Sequence, residues 1–256
     1  MRLGQNFLAD PNLLEAIIRD SGLAASDCVL EVGAGEGVLT ERLAAVAREV
    51  HVIEIDRGLE PWLTEVASLE NVNLIWADAV RFDLTSLDPA PSAMVANLPY
   101  SVATPVIMRT IFDLPSIQHW TVMVQREIAD RLRAEPGSKI YGAPSVLAQL
   151  AGPVSLVRKV SRTVFRPPPR VDSAIISIRR EGAGPDADVR SLVRAAFSHR
   201  RKALPRSLDM AIPGMLEPAR AALENMGLDP GVRAEALSPG QFAALSAMIG
   251  PRPTKA

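Results

Sequence analysis

The feature that most limits how this chain can fold is the run Cys28-Val29-Leu30-Glu31-Val32, followed at once by Gly33-Ala34-Gly35-Glu36-Gly37. The apolar, β-branched run predicts a buried strand over 28–32. The glycines after it permit a tight turn and let a ligand approach the backbone closely. Residues 38–48 then read as a helix whose first amide groups face the space above the strand end. Strand, glycine turn and helix in that order predict the opening unit of an open, mostly parallel sheet.

The rest of the chain repeats the alternation. Strands are expected at 50–55, 72–76, 93–96, 120–124 and 173–178. A first helix starts at Asp10-Pro11, an N-cap acid followed by proline at the first helical position, and stops near Gly22. Further helices are expected at about 61–68, 104–112 and 125–133. After the run Arg166-Pro167-Pro168-Pro169-Arg170 and the last strand, residues 182–185 form a flexible break. Beyond it only helical patterns follow, at 188–198, 216–226 and 239–249. The expected architecture is α/β: a doubly wound, mostly parallel sheet over residues 1–182, plus a small C-terminal helical domain over 183–256. No internal repeat or low-complexity tract is visible.

Composition narrows the chemistry. Cys28 is the single cysteine, which excludes an intrachain disulfide and a paired-cysteine metal site. Its apolar neighbours predict a buried, inert thiol. His51, His119 and His199 show no ligand spacing, so no metal is expected. No apolar run is long enough to cross a bilayer and the N-terminus lacks the apolar core of a signal peptide, so a cytoplasmic protein with no membrane partner is expected. A monomer is expected as well.

The glycine turn alone fits many nucleotide sites. Glu54 lies about 20 residues further on, at the end of the second strand, where an acid can accept hydrogen bonds from both ribose hydroxyls. Asp78, with Ala79 beside it, closes the third strand, where a carboxylate can accept from an adenine amine. Gly33, Gly35, Glu54, Asp78 and Ala79 therefore suit an adenosine-bearing cofactor. They do not separate S-adenosylmethionine from a dinucleotide.

The fourth strand makes that choice, since it ends on Asn97-Leu98-Pro99-Tyr100. An adenine amine is a poor nucleophile because its lone pair is delocalised into the ring. Two acceptors beside its hydrogens draw the nitrogen toward tetrahedral geometry and free the lone pair for attack on a sulfonium methyl. The Asn97 side-chain oxygen and the Leu98 carbonyl have suitable spacing, and Pro99 holds Leu98 extended. Tyr100 offers a face for an extruded base, a stacking contact worth about 1–3 kcal/mol. Catalysis of this kind is positioning and electrostatics, with no shifted pKa required. A nicotinamide-dependent oxidoreductase would give this tetrapeptide no role.

With these motifs in order, the chain resembles the KsgA family of small-subunit ribosomal RNA adenine dimethyltransferases over nearly its whole length. Gly4-Gln5-Asn6-Phe7-Leu8 is similar to the family's N-terminal signature, in which the residues matching Asn6 and Leu8 touch the cofactor. Gln125-Arg126-Glu127 with Arg131, Tyr141-Gly142, Val164 to Ser173, and Phe197-Ser198-His199-Arg200-Arg201-Lys202 are similar to later family blocks. The resemblance implies a Rossmann-like class I methyltransferase that uses S-adenosylmethionine. It also implies an RNA-binding role in rRNA processing and ribosome biogenesis. The implied reaction is dimethylation of two adjacent adenosines in a hairpin loop near the 3′ end of 16S rRNA, with an immature 30S subunit as partner. Ser101 departs from the family, standing where many members have asparagine.

The net charge is −1, yet between residues 158 and 206 basic residues outnumber Asp172, Glu181, Asp186 and Asp188 several-fold. Such a segment can neutralise phosphates. Arg131, Arg200, Arg201 and Lys202 are the expected RNA contacts, and Phe165 is a candidate to face the target base opposite Tyr100. Two alternatives stay open. One is a 23S rRNA adenine dimethyltransferase of the antibiotic-resistance class; the other is a largely non-catalytic ribosome-assembly factor.

Overall fold

The computed structural model describes residues 6–250, so Gly4, Gln5 and the ends of both expected domains lie outside the described residues. Seven strands form the main sheet: β2 (Cys28–Val32), β3 (Glu49–Glu54), β4 (Val72–Trp76), β5 (Ala93–Asn97), β6 (His119–Gln125), β7 (Val154–Val160) and β9 (Ser173–Arg179). Their spatial order is β4-β3-β2-β5-β6-β9-β7. The strands β2 to β6 are mutually parallel, and β9 runs antiparallel to both β6 and β7. A separate antiparallel pair joins β1 (Phe7–Leu8) to β8 (Phe165–Arg166).

Every residue of β2 is buried, including Glu31, which is why the strand reads as a continuous run rather than an alternation. Helices α1 (Pro11–Ser21), α2 (Val38–Ala44), α3 (Glu60–Ala67), α4 (Ala103–Asp113) and α5 (Arg126–Leu132) connect or precede the strands. The Asp10 carboxylate caps α1 by accepting from the Asn12 and Leu13 amides at 2.9 and 3.3 Å. Leu13, Leu14 and Ile17 of that helix pack with Leu39, Leu43 and Leu63 and with Val29, Val50, Val52 and Val95 of the sheet in one buried cluster. Burial of each such side chain is worth about 1.5–3 kcal/mol.

The topology fixes where a ligand can sit. From β2 the chain steps outward through β3 to β4, then returns across β2 to begin β5 on its other side. The connections after β2 and β5 therefore leave in opposite directions and open a crevice at the carboxyl ends of the strands.

The chain divides into two compact units, Met1–Ala129 with Val154–Arg180, and Asp130–Pro153 with Glu181–Ala256. The second contains α6 (Ala143–Ala151), α7 (Ala187–Ser198), α8 (Leu204–Ala211), α9 (Leu216–Asn225) and α10 (Pro239–Ile249). Within it α6 packs on α7 and α10. Tyr141 is fully buried there, its hydroxyl donating to the Leu237 carbonyl at 2.9 Å and its ring meeting Phe197 edge-on. The sequence reading draws one boundary, between 182 and 183; the contacts add residues 130–153 to the C-terminal helices. The strands β1, β7 and β8 and the helices α6 and α8 are absent from the sequence reading.

Candidate functional site

A cavity of about 410 Å³ opens at the carboxyl ends of β2, β3, β4 and β5. Its lining brings together Asn6, Leu8, Gly33, Gly35, Glu54, Asp78, Ala79 and the whole of Asn97-Leu98-Pro99-Tyr100. Every residue expected to bind cofactor or carry the chemistry borders this one space.

The glycine turn is built for contact. Gly33 has φ +83°, in the left-handed region, and its amide donates to the Ile53 carbonyl at 2.9 Å. A Cβ at Gly33 would lie 2.9 Å from both Cδ and Cγ of Pro99, so the turn after β2 and the loop after β5 touch through the missing side chain. At Gly35 a Cβ would meet the Phe7 ring at 3.3 Å. Phe7 also lines the cavity, so the N-terminal segment closes over the turn.

Backbone amides fix Glu54. Its Oε1 accepts from Ile55 and Asp56 at 2.8 and 2.9 Å, and its Oε2 from Gly35 at 3.2 Å. Each carboxylate oxygen can accept about two hydrogen bonds, so acceptor capacity remains on Oε2. Asp78 heads a turn: its Oδ1 accepts from the Val80 amide at 2.9 Å, and its carbonyl accepts from the Arg81 and Phe82 amides at 2.9 and 2.8 Å.

A third acid, Glu31, is 1% exposed and borders the same cavity. Thr40 Oγ1 donates to its Oε2 at 2.6 Å. Burial pushes the carboxyl up to about 8 against that hydrogen bond, and the Glu54 charge adds to the rise. Near neutral pH the group is therefore an uncharged acid.

The loop after β5 is held at both ends. The Leu98 amide donates to the Met123 carbonyl at 3.0 Å and the Val102 amide to the Pro99 carbonyl at 3.1 Å, leading directly into α4. Among the described residues, no hydrogen bond occupies the Asn97 side chain or the Leu98 carbonyl. The Tyr100 hydroxyl lies 2.6 Å from Ser173 Oγ. Burial raises the pKa of Tyr100 against that hydrogen bond, so the phenol stays protonated.

Two of the expected RNA contacts are engaged within the fold. Phe165 is 2% exposed and packs in the core, its strand paired with Leu8, so it presents no face to a base in this structure. Arg200 is engaged within the helical unit: its Nε donates to Glu235 Oε2 at 2.8 Å and its Nη2 to the Lys139 carbonyl at 2.7 Å. Arg201 and Lys202 are exposed, while Arg131 is half-buried on α5 and already has a partner. Among the described residues there is no cluster of ligating side chains for a metal, and no helix is long and apolar enough to cross a membrane.

Sequence reasoning assigned no site role to Phe7, Ile55 and Ser173. Position beside Leu8 and Glu54 points to the first two; Ser173 closes the block at 164–173, but nothing in the sequence pairs it with Tyr100, which it meets through the sheet.

A family model described as ribosomal RNA adenine dimethylase matches residues 1–250. The chain is 45% identical over 254 residues to the ribosomal RNA small subunit methyltransferase A of Rubrobacter xylanophilus, covering 98% of this chain and 95% of that protein. It is 41% identical over 255 residues to the protein of the same name from Thermobifida fusca, covering 95% and 88%. Among solved structures, a dimethyladenosine transferase from Plasmodium falciparum aligns with a TM-score of 0.79 at 26% identity, covering 93% of this chain and 95% of that one. The 23S rRNA methyltransferase ErmE aligns with a TM-score of 0.70 at 28% identity, covering 95% and 99%.

Proposed function

The chain belongs to the ribosomal RNA adenine dimethylase family, and we propose that it dimethylates the exocyclic amines of two adjacent adenosines in a hairpin loop near the 3′ end of 16S rRNA. The methyl donor is S-adenosylmethionine, the RNA is read within an immature 30S subunit, and the protein acts as a monomer without a metal. One observation carries the reading: among the described residues, the Asn97 side chain and the Leu98 carbonyl have no hydrogen-bond partner, at the border of a cavity that also reaches Glu54 and Asp78.

The residues fit the cofactor. A cavity of about 410 Å³ falls within the roughly 300–1,000 Å³ of small-molecule sites. Gly33 and Gly35 leave backbone exposed to it, Glu54 keeps acceptor capacity for ribose hydroxyls, and Asp78 and Ala79 border the adenine end. Asn6 and Leu8 close the site from the N-terminal side. When bound, S-adenosylmethionine supplies an electrophilic methyl group on a cationic sulfur.

The chain's own part is positioning. Asn97 Oδ1 and the Leu98 carbonyl accept the two amine hydrogens and turn the nitrogen lone pair outward. The rigid loop, fixed through Met123 and Val102, holds both acceptors before the base arrives. Tyr100 supplies the stacking face. A hairpin-loop adenosine is already partly unstacked, so presenting it costs little. Arg201 and Lys202 contribute phosphate contacts from the exposed turn after α7, and Arg131 adds a contact from α5.

Likeness to ErmE favours one second reading, a 23S substrate; the higher identities belong to proteins named for the small subunit. Transfer of labelled methyl groups to 30S particles and, in parallel, to 23S rRNA, each lacking the modification, followed by mapping, decides. Two adjacent dimethyladenosines near the 3′ end of 16S rRNA are expected. Label confined to 23S rRNA, or no transfer by cofactor-bound protein, overturns the reading.

A further inference from the structure

We propose that Arg109 is a positioning residue for the adenine end of the cofactor cavity, acting by tying the turn at residues 78–82 to α4. It rests on the reading above that Asp78 receives the adenine amine.

Arg109 lies on the helix that begins at Ala103, immediately beyond the loop carrying Asn97 to Tyr100. Its Nη1 donates to two carbonyls of the turn after β4, Ala79 at 3.0 Å and Phe82 at 2.8 Å. Its Nε donates to Asp113 Oδ2 at 3.0 Å, one helical turn on, which fixes the rotation of the guanidinium. The side chain is 26% exposed, so these bonds are largely sheltered from solvent. The turn's other hydrogen bonds, from the Val80, Arg81 and Phe82 amides to Asp78, are internal to it and set its shape without setting its place. The Ala77 amide, donating to the Glu54 carbonyl at 2.9 Å, anchors the near side of the turn, and Arg109 anchors its far side. Through this one side chain the turn bearing Asp78 and the loop bearing Asn97 share a strut, so the two ends of the site keep their separation. Three directed donors are needed, which an ammonium group on a flexible stem does not reproduce.

The test compares S-adenosylhomocysteine with its inosine counterpart, S-inosylhomocysteine, by calorimetry on the full chain. The two ligands differ at the amine that Asp78 is to receive. The wild type is expected to favour the adenine ligand by about tenfold. Arg109→Ala should weaken the adenine ligand about three- to tenfold and the inosine ligand much less, so that the preference collapses. Arg109→Lys should recover only part of it. Asp113→Asn, which loosens the guanidinium without removing it, should shift the preference in the same direction by a smaller factor. In transfer assays Arg109→Ala should raise KM for the cofactor and leave kcat within about twofold. A merely structural role predicts equal weakening of both ligands; that result, or an unchanged preference in a folded Arg109→Ala protein, overturns the assignment. A wild type without preference between the ligands instead overturns the role of Asp78, and failure to bind either overturns the cofactor reading.

Discussion

The Tyr100 hydroxyl stands 2.6 Å from the Ser173 hydroxyl, tying the end of the Asn97–Tyr100 loop to the first residue of β9. The contact exists because β9 is antiparallel. Reversal brings its first residue beside Gln125, the last of β6, at the same end of the sheet as Asn97.

Ser173→Ala should therefore loosen the Tyr100 ring without touching the cofactor. One neutral hydrogen bond is worth about 0.5–1.5 kcal/mol, or roughly a two- to tenfold fall in the single-turnover rate. Tyr100→Phe should cost about the same, and the double variant little more than either. Cofactor affinity should be unchanged in all three; additive losses in the rate would show that the hydroxyl pair is not the link.

Gly33 and Gly137 have the same φ of +83°, but only Gly33 has a neighbour where a Cβ would go. Alanine at Gly137 pays the left-handed conformation alone, about 1–2 kcal/mol, and should leave methyl transfer intact. At Gly33 it must also displace Pro99. Denaturant melts should show a larger loss for Gly33→Ala, and transfer should fall more than about tenfold. Equal activity in the two variants would separate the glycine turn from the catalytic loop.

Glu31 gives the unliganded protein a pH dependence of unusual sign. Its folded value near 8 lies above its ordinary 4.5, so between those values the folded state keeps a proton that the unfolded state has released. Stability from this group is thus full below pH 4.5 and falls as pH rises through the window, by an amount on the order of a few kcal/mol. Glu31→Gln keeps an acceptor for Thr40 Oγ1 and should flatten the profile. Denaturation at pH 5, 6.5 and 8 measures the difference; parallel profiles would refute it.

Asn97→Ala should reduce transfer more than a hundredfold, about 3 kcal/mol of lost positioning, while retaining cofactor and 30S binding. Preserved transfer would remove Asn97 from the mechanism.

The basic turn after α7 should split by residue. Reversing Arg201 and Lys202 to Glu should weaken binding to 30S particles and flatten its salt dependence with little change in melting temperature. Arg200→Ala should instead lower the melting temperature, because it removes the partner of Glu235 and of the Lys139 carbonyl. Binding assays and melts on the same preparations distinguish the two patterns.

The parts legible in the sequence were those with local causes. The strand, glycine turn and helix expected at 28–48, the Asp10 cap and the Asn97 loop each carry their signal within a few residues; the structure has all of them, with the helix ending at Ala44. The elements that were missed depend on distant partners. The strand β7 alternates weakly and gains its place from β9, while α6, rich in alanine and opening at Pro144, is fixed by α7 and α10. Phe165 is a similar case: a proline run beside it suggests exposure, whereas pairing with Leu8 buries it. The tie of Arg200 to Glu235 is not legible locally either, because Glu235 lies 35 residues away.

The grouping of residues 130–153 with the C-terminal helices has a consequence for synthesis. The helix α6 emerges with Val146, Leu147 and Ala148 uncovered, and the surfaces that bury them are translated only with α7 and α10. At about 5–20 residues per second, that wait is on the order of ten seconds, during which the nascent segment is open to chaperones or to other chains. A stop codon just after β9 would make the wait permanent. The product would keep every strand of the sheet yet carry an orphaned apolar helix, and its fate would be aggregation or proteolysis rather than a stable methyltransferase domain lacking its appendage.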